Sequence, residues 1–192
     1  LATNGLSAYW RLGDQLKKTL PPDQLSQAIP YYERAVSLSP NDYRFWMEFG
    51  EVLEQAGDYE RAEKALREAV RLAPSYAYPR WYLGNLLIRT GQYDEAFAEL
   101  RRASDAHDEF QPQLFSMAWQ LYKDDFDAMG AAVGNTTRTR AVFAQYLLSR
   151  GRFPEGLRVW DSLSQDEQRA NREVAYEIIT NLLKANAFHH AV

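Results

Sequence analysis

Residues 57–70 read GDYERAEKALREAV and residues 91–104 read GQYDEAFAELRRAS, one pattern written twice, 34 residues apart. A fixed internal period constrains a fold more than composition does. Each copy must be one supersecondary unit whose apolar face is covered by its neighbours. Laying residues 43–76 over 77–110 extends the match: Phe49-Gly50 falls over Leu83-Gly84, Leu53 over Leu87, Gly57 over Gly91 and Tyr59 over Tyr93. Ala62, Leu66 and Ala69 fall over Ala96, Leu100 and Ala103. Trp46 is answered one place late by Trp81, and Asp108 stands where Pro74 closes the first copy.

On both sides of Gly57 and Gly91, apolar residues recur at spacings of three and four, the period of helices rather than strands. Each Gly supplies the permissive backbone that ends a first helix. Asp58 can cap the helix that follows, and Pro74 stops it. Each copy is therefore a helical hairpin. Gly50, Gly84, Ala62, Ala69, Ala96 and Ala103 are small where partner helices must approach closely, and Tyr59 and Tyr93 are expected to pack into the resulting gap.

The series Trp46-x-x-Phe49-Gly50, Gly57-x-Tyr59-x-x-Ala62, Ala69 and Pro74 resembles the tetratricopeptide repeat family. The resemblance implies an all-α, right-handed superhelical solenoid of antiparallel helix pairs, with the first helix of each pair lining a concave face. The expected frame is a single array over 1–192, with units at about 6–42, 43–76, 77–110, 111–136 and 137–170, and a truncated unit at 171–192. Upstream, Tyr9, Leu12 and Gly13 mark a first helix and Ala28, Ala35 and Pro40 a second, across a longer connection containing Pro21-Pro22. Downstream, Leu114, Met117, Ala118 and Leu121 form a first helix, while Gly130 and Gly134 shorten the second. The frame returns at Phe143-Ala144, Leu147, Gly151 and Phe153, with Gly156 in an Ala place and Trp160 in the large core slot. Ala175, Ile179 and Leu182 then mark a helix, and Phe188 and Ala191 restart the second-helix pattern. This ending leads to the expectation of a longer polypeptide, with association through an exposed C-terminal repeat edge.

Chemistry is sparse. With no Cys in the chain, disulfides and thiolate zinc sites are excluded. No apolar run reaches the length of a membrane span. A net charge of −4 without a basic stripe argues against nucleic-acid binding. No H-E-x-x-H, Walker loop, G-x-S-x-G or G-x-G-x-x-G occurs. His107 reads as a loop residue without a second ligand, and adjacent His189 and His190 point to different sides of a helix. Asp124-Asp125-x-Asp127 lacks the Gly and Glu of a calcium loop and reads as helix capping. Neither metal nor cofactor is expected, and no catalytic role.

Function is therefore sought in the groove. By resemblance, the concave positions fall on Trp10, Asp14 and Lys17, then on Arg44, Met47, Glu48, Glu51 and Glu54. They continue through Tyr78, Trp81, Tyr82, Asn85, Ile88 and Arg89, then Phe115, Trp119, Tyr122 and Lys123, and finally Arg138, Gln145 and Leu148. The middle of this series is rich in large aromatics edged by Arg44, Asn85, Arg89 and Lys123, the composition of binding hot spots. These aromatics divide between packing among first helices and facing a ligand. The carboxylate clamp of chaperone-binding members is absent: Asn85 is in place, but Trp81 stands for the Lys and Ser116 for the second Asn. The expectation is a non-catalytic scaffold that binds a peptide or protein segment in its groove. The alternative is an accessory domain of a larger enzyme, such as a glycosyltransferase or a membrane polysaccharide polymerase or ligase.

Overall fold

A computed structural model describes residues 3–123 and 125–184. Among them are twelve α-helices, two 3-10 helices and no strand. The chain falls into two compact units that divide between Phe110 and Gln111, a boundary that coincides with the end of the third expected repeat.

Three hairpins build the first unit. Helix α1 (Thr3–Thr19) pairs with α2 (Ile29–Leu38), α3 (Tyr43–Gln55) with α4 (Tyr59–Leu72), and α5 (Ala77–Arg89) with α6 (Tyr93–Ala106). The long α1–α2 connection holds a 3-10 helix over Pro22–Ala28, and a second one, Asp108–Phe110, closes the unit. The α3–α4 and α5–α6 turns are short, which makes the partners antiparallel.

Their geometry follows from one glycine each. Gly57 has φ 83° and Gly91 φ 79°. At the first turn the Gly57 N–H donates to the Glu54 carbonyl at 3.0 Å and the Asp58 N–H to Leu53 at 2.9 Å. At the second turn Gly91 donates to Ile88 at 3.2 Å and Gln92 to Leu87 at 2.9 Å. These are the paired bonds of a Schellman motif, which satisfies carbonyls that the helix end leaves open. The Asp58 carboxylate then caps α4 by accepting from the Arg61 N–H.

Inside the α3–α4 and α5–α6 hairpins a first-helix Gly receives a second-helix Leu, whereas in the α1–α2 hairpin Gly13 faces Tyr32. A β-carbon on Gly50 would stand 2.5 Å from Leu66 Cγ, and one on Gly84 would stand 2.6 Å from Leu100 Cγ. Both leucines are wholly buried, each contributing roughly 1.5–3 kcal/mol of transfer free energy. Because these leucines fill the gap, Tyr59 and Tyr93 do not: they open α4 and α6 and remain 45% and 42% exposed. On the outer helices, Arg61 of α4 pairs with Glu33 of α2, and Arg67 of α4 with Glu95 of α6.

The second unit contains α7 (Gln111–Tyr122), α8 (Phe126–Val133), α9 (Thr137–Ser149), α10 (Phe153–Asp161), α11 (Gln165–Ala170) and α12 (Arg172–Lys184). Helix α8 is short and ends at Gly134 with φ 100°, as its glycines foretold. Between α9 and α10 the knob and the hole are exchanged. Here the second helix carries Gly156, and the first supplies Leu148, whose Cγ would lie 2.6 Å from an added β-carbon. Trp160 does not fill the core slot expected for it; it is only half-buried, while Val159 and Leu163 are buried on either side of it. Helix α12 packs on α9 and buries Val174, Ile178 and Leu182, which leaves Ile179 outside at 56% exposed rather than on the packed face. Asp124, Phe188, His189, His190 and Ala191 lie outside the described residues. No described helix is long and apolar enough to cross a membrane.

Candidate functional site

In the first unit, α3 carries Glu48, Glu51 and Glu54 at three-residue spacing along one side. A neighbouring helix answers each carboxylate. From α1, Trp10 Nε1 donates to Glu48 Oε2 at 2.6 Å and Lys17 Nζ lies 2.6 Å from Glu51 Oε2. From α5, Arg89 Nε lies 3.2 Å from Glu54 Oε1. Burial pushes the Glu48 carboxyl above its ordinary range, against the opposing pull of the Trp10 N–H and Lys17. Burial likewise raises Glu54, with Arg89 opposing and Glu51 reinforcing the shift.

Between α3 and α5 lies a cleft of about 370 Å³, lined by Glu51, Glu54 and Gln55 from α3, Tyr78, Trp81, Tyr82, Asn85 and Arg89 from α5, and Phe110. Its aromatic side is tied together. Trp81 stacks on Phe110 with ring centroids 4.4 Å apart, and Tyr78 meets Phe110 edge-on at 5.3 Å. The Tyr78 hydroxyl donates to Glu109 at 2.9 Å, which raises the phenol above its usual range. Burial raises Tyr82. The Asn85 amide N–H₂ donates to the Trp81 carbonyl at 2.8 Å, turning its carbonyl oxygen into the available acceptor.

Tyr78, Trp81, Tyr82, Asn85, Arg89 and Glu51, all named from the sequence, line this one cleft. Met47 and Ile88 pack partly buried against the core, and Arg44 is committed to Asp42, donating from Nε at 2.9 Å and from Nη2 at 2.6 Å. Asp14 pairs with Lys18 at 2.7 Å. Phe110 escaped the sequence reading although a signal existed. It stands one period after Tyr76, which packs on Tyr43 at 5.1 Å, so an aromatic closes each of these two units.

In the second unit Phe115 is not a groove residue. It is 1% exposed, because the α9 rings of Phe143 at 5.2 Å and Tyr146 at 5.5 Å cover it. Leu148 is likewise withdrawn, being the knob that fills the Gly156 hole. Trp119 is half-buried beneath the Arg152 guanidinium, 4.5 Å from the ring centroid. Tyr122 is half-buried and Lys123 and Arg138 are exposed, while Gln145 donates to Glu177. Asp125 accepts from the Ala128 N–H at 2.9 Å, the capping role read from the sequence. His107 lies beside Glu109, at 4.0 Å.

Two models of the tetratricopeptide repeat match the chain, one over residues 23–77 and one over 53–121. The chain belongs to the tetratricopeptide repeat family. Over 94 residues it is 31% identical to the peroxisomal targeting signal receptor of Candida glabrata, a match covering 47% of this chain and 16% of that protein. Among solved structures, an O-GlcNAc transferase mutant of Thermobaculum terrenum aligns with TM-score 0.56 at 18% identity, over 76% of this chain and 26% of that one. The MamA protein aligns with TM-score 0.56 at 14% identity, covering 89% of this chain and 96% of that one. These two share the fold with this tetratricopeptide repeat chain. The chain spans about a sixth of the receptor's length.

Proposed function

We propose that this tetratricopeptide repeat protein is a non-catalytic scaffold that binds a segment of a partner protein along the first helices α1, α3 and α5, anchored in the α3–α5 cleft. One observation carries the reading: the cleft joins aromatic surface to acceptor groups on a rigid helical wall, the combination from which interface hot spots are built. Tyr78, Trp81 and Tyr82 offer apolar area at low entropic cost, while Glu51 and Asn85 offer hydrogen-bond acceptors that fix register. The acceptor-rich lining suits a partner's side-chain donors rather than a terminal carboxylate. The relative from Candida glabrata is by name a receptor for a targeting signal, and its likeness over 94 residues supports a receptor-like binding role here.

A photo-crosslinking amino acid at Asn85, compared with one at the outward-facing Lys64, tests the reading. A partner captured through position 85 and not through position 64 is the expected result. Capture through position 64 alone, or through neither, removes the groove as the binding site.

A further inference from the structure

Among its described residues, the first unit contains two buried carboxylates that are treated in opposite ways. Glu99, 7% exposed, is matched by two guanidinium groups: Arg80 Nη1 reaches its Oε2 at 2.5 Å, and Arg102 Nη1 its Oε1 at 2.5 Å. Glu54, 8% exposed, forms part of the cleft wall, and its buried Oε1 accepts no hydrogen bond. Arg89 Nε stands 3.2 Å from that oxygen, but not aligned to donate to it, and the Arg89 side chain is 63% exposed. A buried carboxylate without a hydrogen-bond donor is costly, and in this unit Glu99 demonstrates that the fold can supply donors. Beyond Arg89 and Gln55, and with Glu51 already paired to Lys17, the groups around Glu54 are acceptors and aromatic faces. Glu51 carries a second carboxylate, the amide of Asn85 is turned so that its oxygen is available, and Trp81 and Tyr82 present π systems.

We propose, resting on the groove reading above, that the cleft receives the cationic side chain of an arginine or lysine from the partner segment, with Glu54 as its buried counter-charge. The ligand's cation takes the place that Arg89 holds loosely in the free protein, and Arg89 moves into solvent. Carboxylates supply the charge-assisted hydrogen bonds, the aromatic walls supply cation–π contact, and the planar guanidinium suits both more closely than an ammonium does.

The test is an NMR titration of the whole chain with N-acetyl-arginine amide, N-acetyl-lysine amide, neutral N-acetyl-citrulline amide and N-acetyl-phenylalanine amide, following the Trp81 indole N–H assigned through Trp81→Phe. The cationic probes are expected to shift this signal at millimolar concentrations, and citrulline is not. Glu54→Gln keeps the shape of the side chain and should weaken the arginine probe about tenfold, whereas Arg89→Gln removes the internal competitor and should tighten it several-fold. Opposite signs from two folded variants separate a binding role from simple loss of structure. Equal response to arginine and citrulline, no response to either cation, or no change in Glu54→Gln overturns the assignment. A shift by the phenylalanine probe without cation dependence also overturns it while leaving the groove reading intact. That reading fails separately, if position 85 captures no partner.

Discussion

Gly84 lies under Leu100 so closely that a β-carbon on it would stand 2.6 Å from the leucine Cγ and 3.2 Å from the Ala96 carbonyl oxygen. The same relation holds one period earlier between Gly50 and Leu66. In an exposed helix Gly→Ala would stabilise by about 1 kcal/mol. Here the obstructing atoms are the branch carbon of a wholly buried leucine, with no free space to turn into, and a backbone carbonyl, not a flexible tip, so the sign reverses. Gly84→Ala is expected to destabilise by roughly 1–3 kcal/mol, the range for overpacking, as measured by urea unfolding. Gly84→Ala combined with Leu100→Ala should cost less than the sum of the two, because the second change removes the clash.

The turn glycines behave differently. A β-carbon on Gly57 or Gly91 would meet nothing within 4 Å, but φ near +80° is unfavourable for other residues. Gly57→Ala should therefore cost roughly 1–2 kcal/mol through the backbone alone. Gly57→Asn should cost less, since Asn tolerates this region. Equal losses for Ala and Asn would assign the cost to something other than φ.

Arg67 spans from α4 to α6, contacting Glu95 Oε1 at 2.6 Å and Oε2 at 3.0 Å while also bonding Glu63. The guanidinium hydrogen bonds hold Glu95 below the usual carboxylate range. The sign follows: the depressed carboxyl contributes stability above its ordinary value of 4.5, and that contribution is lost as pH falls through the lower folded value. Both side chains are exposed, so Glu95→Gln should cost under about 1 kcal/mol at pH 7. The difference from wild type should shrink in high salt and vanish in strong acid, as followed by thermal unfolding.

Trp81 is half wall and half support, because its stack on Phe110 joins α5 to the 3-10 turn that closes the unit. Trp81→Ala is expected to lose roughly 1–3 kcal/mol of stability as well as binding. Trp81→Phe keeps a ring against Phe110 and should retain most of that stability. An alanine variant with unaltered unfolding would show that the stack contributes nothing.

Glu54 gives the opposite pH dependence to Glu95. Burial raises its folded pKa above the ordinary 4.5, so the charged form costs stability at neutral pH, and that cost is relieved as pH falls from the raised value toward 4.5. Glu54→Gln should melt higher than wild type at pH 7, and the gap should close by about pH 4.5. A variant less stable than wild type at pH 7 would mean that Arg89 outweighs burial.

The 34-residue period, the two turn glycines and the small residues where paired helices approach were legible in the chain because each is a local requirement repeated in phase, whereas the residues filling that gap, Leu66 and Leu100 rather than Tyr59 and Tyr93, were not. Backbone geometry at a turn and helix approach within a hairpin depend on residues a few positions apart, so the sequence by itself determined the hairpin, its turns and the family. It also located Tyr78, Trp81, Tyr82 and Asn85 on one helix wall, since they share the phase of a single helix. What it could not apportion was burial. Phe115 stands one period after Trp81, yet Phe115 is enclosed by Phe143 and Tyr146, while Trp81 lines the cleft. Burial is set by which neighbour fills the space over a side chain, and those neighbours come from other helices. Only the tertiary structure, for the same reason, placed Phe110 behind Trp81 and left a buried Glu54 oxygen without a donor while providing Glu99 with two guanidinium partners.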